Sequence, residues 1–318
     1  MVARSNRAEG GSDVRHGPLF PTVTVITQLM SRHLAAAIDW WAASISGKIK
    51  DMLSLGSFAG TPQMVMQAVP PVVYLDHNGM NLVSRSAALT ERVIEAIRGT
   101  GGTLALSWVG LREYVAVTDQ SQRKLAENLR QTISPRIFIL GPEPFTVETR
   151  ELARWPVPHA DGEIGMVVLL RGGFDGLLDL MFNDGQSLRH TSVHDKLVQR
   201  LLELRNDYLA KAEFEKLVER ADTSPKHMAQ TRMRSVLRVI LEPLLEDPSR
   251  NITTNDVFDL LHAAVPVAYC DIVFLDGAWR HQAERAQAKL TKADSNMKLA
   301  QVFSPKQNGI GRLLTHLE

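Results

Sequence analysis

The chain has 318 residues, 44% apolar and 22% charged, with a formal net charge of +1. That is enough chain to bury one large core or two smaller ones. The near-neutral balance excludes an overall field that would gather nucleic acid or an anionic membrane, so any basic surface has to be local. Cys270, the single cysteine, sits in an apolar run and excludes an internal disulfide. The expectation is a buried, reduced thiol in a cytosolic protein.

Residues 1–19 are polar and aperiodic and read as a disordered tail without a secretory signal pattern. Apolar residues at helical spacing (Ile26, Leu29, Met30, Leu34, Ala37, Trp40, Trp41, Ile45) predict a helix over 24–55. Trp40 and Trp41 suit docking onto a core better than stacking on a base. Residues 56–71, broken by Gly56, Gly60, Pro62, Pro70 and Pro71, read as a linker. The same breakers exclude a membrane span in the uncharged run 52–75. Residues 20–71 are thus an N-terminal helical extension and linker.

From 72 the pattern changes to short apolar strands separated by helices. VVYL at 72–75 ends in Asp76, with His77, Asn78 and Gly79 as its turn and a helix over 86–98. LALSW at 104–108 is a second strand, and the helix after it carries Glu113. RIFIL at 136–140 is a third. Residues 151–250 are helical in pattern and read as an insertion. A helix over 256–265 then leads to a strand over 270–275 that closes on Asp276. A helix over 277–290, a strand over 299–303 and a terminal helix over 309–318 complete the chain. Apolar strands joined through helices predict a parallel sheet with right-handed crossovers.

Four acids fall where such a sheet presents its carboxyl edge: Asp76, Glu113, Asp259 and Asp276. Ligands bind at that edge in open α/β sheets. Carboxylates gathered there repel unless a cation neutralises them, which suits Mg²⁺ or Mn²⁺. Asp271, at the start of a strand, is a further candidate ligand, and Asn78 and Ser107 are candidates to orient waters or ligands from behind. His262 is placed either to contact a phosphate or as a satisfied core histidine. Arg234 and Arg238, sharing a helix face, are candidates to track a nucleic-acid backbone or to pair with Glu242 and Glu246. Lys226, His227, Arg232, Lys124, Arg130 and Arg136 are uncommitted. His190 and His194 have zinc-ligand spacing without the glutamate a zinc protease needs. No phosphate-binding glycine loop or nucleophile elbow occurs.

The pieces YLDHN at 74–78, SWVGLREY at 107–114, DLLHA at 259–263 and CDIVFLD at 270–276 together resemble the PIN-domain nucleases. The resemblance covers 72–140 and 252–318. It implies a three-layer α/β sandwich around a parallel sheet, spanning 72–318 with the helical insertion inside it. It implies that Asp76, Glu113, Asp259 and Asp276 are the catalytic acids, holding Mg²⁺ or Mn²⁺ for hydrolysis of RNA rather than DNA by a metal-activated water. It leaves open a toxin with an inhibitory antitoxin-like partner, a processing enzyme, or a catalytically silent module that binds nucleic acid or protein. A phosphatase is disfavoured, since no Asp-x-Asp pair follows the first strand.

Overall fold

The computed structural model describes residues 53–58, 61–115, 119–133, 136–154, 157–158, 198–206, 231–246, 249, 251–306 and 308–318. Contacts divide the chain into Met1–Ser46 and Gly47–Glu318, and all described residues belong to the second unit. The expected tail, Trp40–Trp41, Lys226, His227, His190 and His194 lie outside the described residues.

The first elements correct the sequence reading. Strands β1 (Leu53–Phe58) and β2 (Thr61–Met66) pair antiparallel, Leu53 opposite Met66 and Phe58 opposite Thr61. The end of the expected helix and most of the expected linker are therefore a hairpin. Two residues connect the strands, a spacing that tight hairpins favour and that includes Gly60.

The main sheet has five strands, all parallel, in the order β5-β4-β3-β6-β7. They are β3 (Val72–Leu75), β4 (Thr103–Ser107), β5 (Ile137–Leu140), β6 (Ile272–Phe274) and β7 (Gln301–Phe303). β3, β4, β5 and β6 are buried throughout, which is why each reads as an unbroken apolar run. Side chains alternate between faces as the pleat requires: Val72, Tyr74, Ala105, Phe138, Leu140 and Val273 enter one core. Val73, Leu75, Leu104, Leu106, Ile137, Ile139, Ile272 and Phe274 enter the other.

Helices cover both faces. The second core is closed by α1 (His77–Val83), α2 (Ala87–Thr100), α4 (Gln120–Ile133) and α9 (Gly309–Leu317). The first is closed by α5 (Pro144–Leu152), a helical segment at 198–206, α6 (Arg232–Glu246), α7 (Thr254–Tyr269) and α8 (Gly277–Ala293). α3 (Trp108–Val115) sends Val109 to one core and Leu111 to the other. The architecture is α/β with an all-parallel sheet between helices.

Two further corrections concern local structure. His77-Asn78-Gly79 is the first turn of α1 rather than a free turn, because Asp76 caps that helix through Gly79 N–H at 2.7 Å. α7 runs through Pro266 to Tyr269, four residues past its expected end. The lost backbone bond is offset by burial of Val267 and Ala268. α6, within the expected insertion, places Met233, Val236, Leu237, Ile240 and Leu244 in the main core. Its amino end is tied down by Glu151 of α5, which accepts from Arg232 N, Met233 N and Tyr269 Oη.

Candidate functional site

The strand order reverses between β3 and β6: the chain builds outward through β4 and β5, then returns to lay β6 and β7 on the other side. Such a switch point opens a crevice at the carboxyl ends of the strands. Asp76 follows β3 and Asp276 follows β6, one on each side of it. The Asp76 N–H donates to Phe274 O at 3.1 Å, so the two strand ends are bound together there.

Asp76 is buried at 6% exposure. Oδ1 accepts from Gly79 N. Its carboxyl is pushed up to about 7, chiefly by burial, with the Asp276 charge adding to the rise. The Gly79 and Asp276 backbone N–H groups and the field of His262 oppose it without cancelling it. Asp276 caps α8, Oδ1 accepting from both Ala278 N and Trp279 N at 2.9 Å.

Trp279 links two of the acids. Its backbone N–H donates to Asp276 Oδ1, and its indole stands by the Asp259 carboxyl on α7 and favours the ionised form. The Asp259 carboxyl is raised, first by burial and then by the charges of Asp276 and Glu113, against the indole bond and the field of His262. The four acids thus act on one another electrically from four segments.

Glu113 is held by His262, whose Nε2 lies 2.9 Å from Oε2. His262 Nδ1 lies 2.6 Å from Tyr74 Oη, and Tyr74 Oη lies 3.2 Å from Ser107 Oγ. Gly110 N donates to Ser107 Oγ at 3.2 Å. One direction satisfies every group: Gly110 N–H to Ser107, Ser107 O–H to Tyr74, Tyr74 O–H to His262 Nδ1, and His262 Nε2–H to Glu113. Burial pushes the Tyr74 phenol well up, which keeps it a donor.

The remaining expected site residues fall elsewhere. Asp271 stands at the opposite, amino end of the sheet, where Oδ2 accepts from Val72 N at 2.7 Å. A cavity of about 320 Å³ opens at that far end between Pro71, Thr100, Asp271 and His316. Asn78 is exposed at the second position of α1, and among the described residues no hydrogen bond joins it to the acids. Ser107 acts only through Tyr74. His262 is 6% exposed with both nitrogens engaged, so it supports Glu113 rather than meeting a substrate.

Arg234 pairs with Glu148 of α5. Its neighbour Arg232 donates to Ala268 O at 3.3 Å and lies over the Tyr269 ring. That end of α7 is about 14 Å along the helix from Asp259, at 1.5 Å rise per residue. Arg238, one turn on from Arg234, is half-buried, and Glu242 is taken by Arg285 and Lys289 of α8. Arg130 is buried and donates to Ala126 O, and Arg136 donates to Gly101 O; both serve the fold, whereas Lys124 is exposed.

Sequence reasoning did not single out Tyr74 or Trp279 as support for the acids. The first reads as one more strand residue and the second as an ordinary aromatic of the helix over 277–290. Among the described residues no group of three or more His, Cys, Asp or Glu side chains stands ready to hold a metal ion, and no helix is long and apolar enough to cross a membrane. Comparison with protein-family models, curated proteins and solved structures finds no match to this chain.

Proposed function

We propose that this chain is a divalent-metal-dependent nuclease of the PIN-like kind, hydrolysing phosphodiester bonds in RNA. The observation that carries the reading is the Asp76 carboxyl, buried beside Asp276 at the switch point and pushed up to about 7. A carboxylate so placed gains most from a cation. The groups coupled to it (Asp276, Asp259 and Glu113) offer oxygen, the donor set that fits Mg²⁺ or Mn²⁺.

When bound, such an ion supplies a water of lowered pKa and positive charge for phosphate oxygens. The chain's own residues position the acids for it. Trp279 holds Asp276 and favours an ionised Asp259, and the Ser107–Tyr74–His262 relay orients Glu113. Asp276 uses one oxygen for both caps and keeps the other for a ligand. Tyr74 and Ser107 are too buried to serve as nucleophiles.

The test is cleavage of a mixed-sequence RNA by the full chain in Mg²⁺ or Mn²⁺. Activity should be abolished by EDTA and fall at least about a hundredfold in Asp76→Asn, as loss of a metal-holding group predicts. Cleavage that survives both overturns the mechanism. The second reading is a silent PIN-like module that binds nucleic acid or protein, an antitoxin-like partner included. The observation on its side is the engagement of Glu113 by His262. RNA binding without cleavage, unaffected by Asp276→Asn, would select it.

A further inference from the structure

The edge that carries the acids continues past Asp276. β7 lies beside β6 at the margin of the sheet, and Leu275 N donates to Phe303 O at 2.9 Å. The segment after β7 therefore leaves the sheet next to the segment after β6. It begins at Ser304, which is buried and whose Oγ accepts from Arg280 Nη1 of α8 at 3.2 Å. Where it enters α9, a Cβ on Gly309 would collide with the Ser304 carbonyl. The loop is thus pinned at both ends.

Lys306 stands on this loop and is exposed. A Cβ on Gly277 would lie 3.4 Å from Lys306 Cε and 3.7 Å from Nζ, so the lysine stem runs past the first residue of α8. Gly277 directly follows Asp276. In the order of the sheet (β3, β6, β7) the edge reads Asp76, Asp276, Lys306. No ion pair joins Lys306 to another described residue, Asp276 included. Arg280 on α8, by contrast, is engaged by Glu284 and Ser304.

A polynucleotide approaching four carboxylates is repelled by them. A divalent ion at the acids offsets this for the phosphate it holds, while the neighbouring phosphates keep their charge. Adjacent strands lie about 4.8 Å apart, so an ammonium one strand beyond Asp276 is offset from the acids and meets a different phosphate. Lysine suits that contact, being a compact charge on a flexible stem that reads no sequence. We propose that Lys306 is a substrate-binding residue, its ammonium contacting the RNA phosphate next to the one at the acids, on the β7 side. The assignment rests on the reading of the acid edge as a nuclease site. It gives that site a direction, the RNA backbone crossing from β3 toward β7.

Steady-state cleavage and fluorescence anisotropy of a mixed-sequence RNA test this in the full chain, with binding measured in an Asp76→Asn background so that the RNA survives. Lys306→Ala should raise KM about three- to fivefold at low salt and leave kcat within about twofold. It should also flatten the slope of log Kd against log salt by about 0.7, the share of one phosphate contact on a single strand. Lys306→Arg should restore both. Lys292→Ala removes an exposed lysine from the last turn of α8, roughly 20 Å along the helix from Gly277, and should change neither. A KM or a slope equal to wild type in Lys306→Ala, or the same losses in Lys292→Ala, overturns the assignment and leaves the acid edge standing. The flattened slope without cleavage keeps the contact and removes the nuclease reading. A wild-type chain that neither binds nor cleaves RNA removes both.

Discussion

Asp76 does two jobs that conflict. As the cap of α1 it needs an oxygen, which an amide supplies as well as a carboxylate. As a buried acid beside Asp276 it resists ionisation, with its carboxyl pushed up to about 7. In the unfolded chain the same group titrates near pH 4. Between those values the folded chain holds a proton that the unfolded chain has lost, so stability declines as pH rises through about 4 to 7 and levels off above. Asp76→Asn keeps the cap and cannot ionise. It should match wild type in urea unfolding near pH 4 and exceed it at pH 8, by up to about 4 kcal/mol at 1.36 kcal/mol per pKa unit. A variant weaker than wild type at pH 8 would show that the ionised carboxylate is already well satisfied without a cation.

The helices are positioned by what their ends and faces touch. α1 leaves β3 so tightly that a Cβ on Gly79 would lie 2.8 Å from Phe274 Cδ1, and Phe274 is wholly buried. Gly79→Ala should therefore cost about 1–3 kcal/mol of overpacking in thermal unfolding. Combining it with Phe274→Leu should recover part of that loss; if the single variant is neutral, the approach of α1 to β6 is looser than described. At the other end of the crossover, Gly101 takes φ +73° and closes α2, its N–H reaching Arg98 O and that of Gly102 reaching Ile97 O. The end of the helix expected over 86–98 was legible for that reason, as were the apolar strands and the alternation that places a helix after each. The hairpin at 53–66 was not, because its glycines and proline carry a linker's composition. Nor was α6's place in the core, since an amphipathic stripe reads the same whether it packs on a sheet or on another helix.

Across the whole molecule, the candidate site gathers Asp76, Glu113, Asp259 and Asp276 from 200 residues of chain, at the one place where the order of a parallel sheet reverses. A cation held there would bind the folded chain and not the unfolded one, adding RT ln(1 + [L]/Kd), about 2.7 kcal/mol at a hundredfold excess over Kd. Saturating Mg²⁺ or Mn²⁺ should raise the melting temperature of wild type by roughly 5–10 °C and that of Asp76→Asn/Asp276→Asn hardly at all. An equal rise in both proteins would place any bound ion elsewhere.

Periodicity and punctuation were enough to mark the parallel α/β class and the acids at strand exits, because strands buried on two faces leave runs of apolar residues closed by a polar one. Asp271 shows the limit of that reading: next to Cys270 and five residues from Asp276, it lies at the far end of the sheet, since a strand carries its two ends apart. That Tyr74 and His262 brace Glu113, and that Trp279 donates to Asp276, came from packing. Those contacts join segments up to 188 residues apart, and nothing local in Tyr74 or Trp279 distinguishes a brace from an ordinary core aromatic.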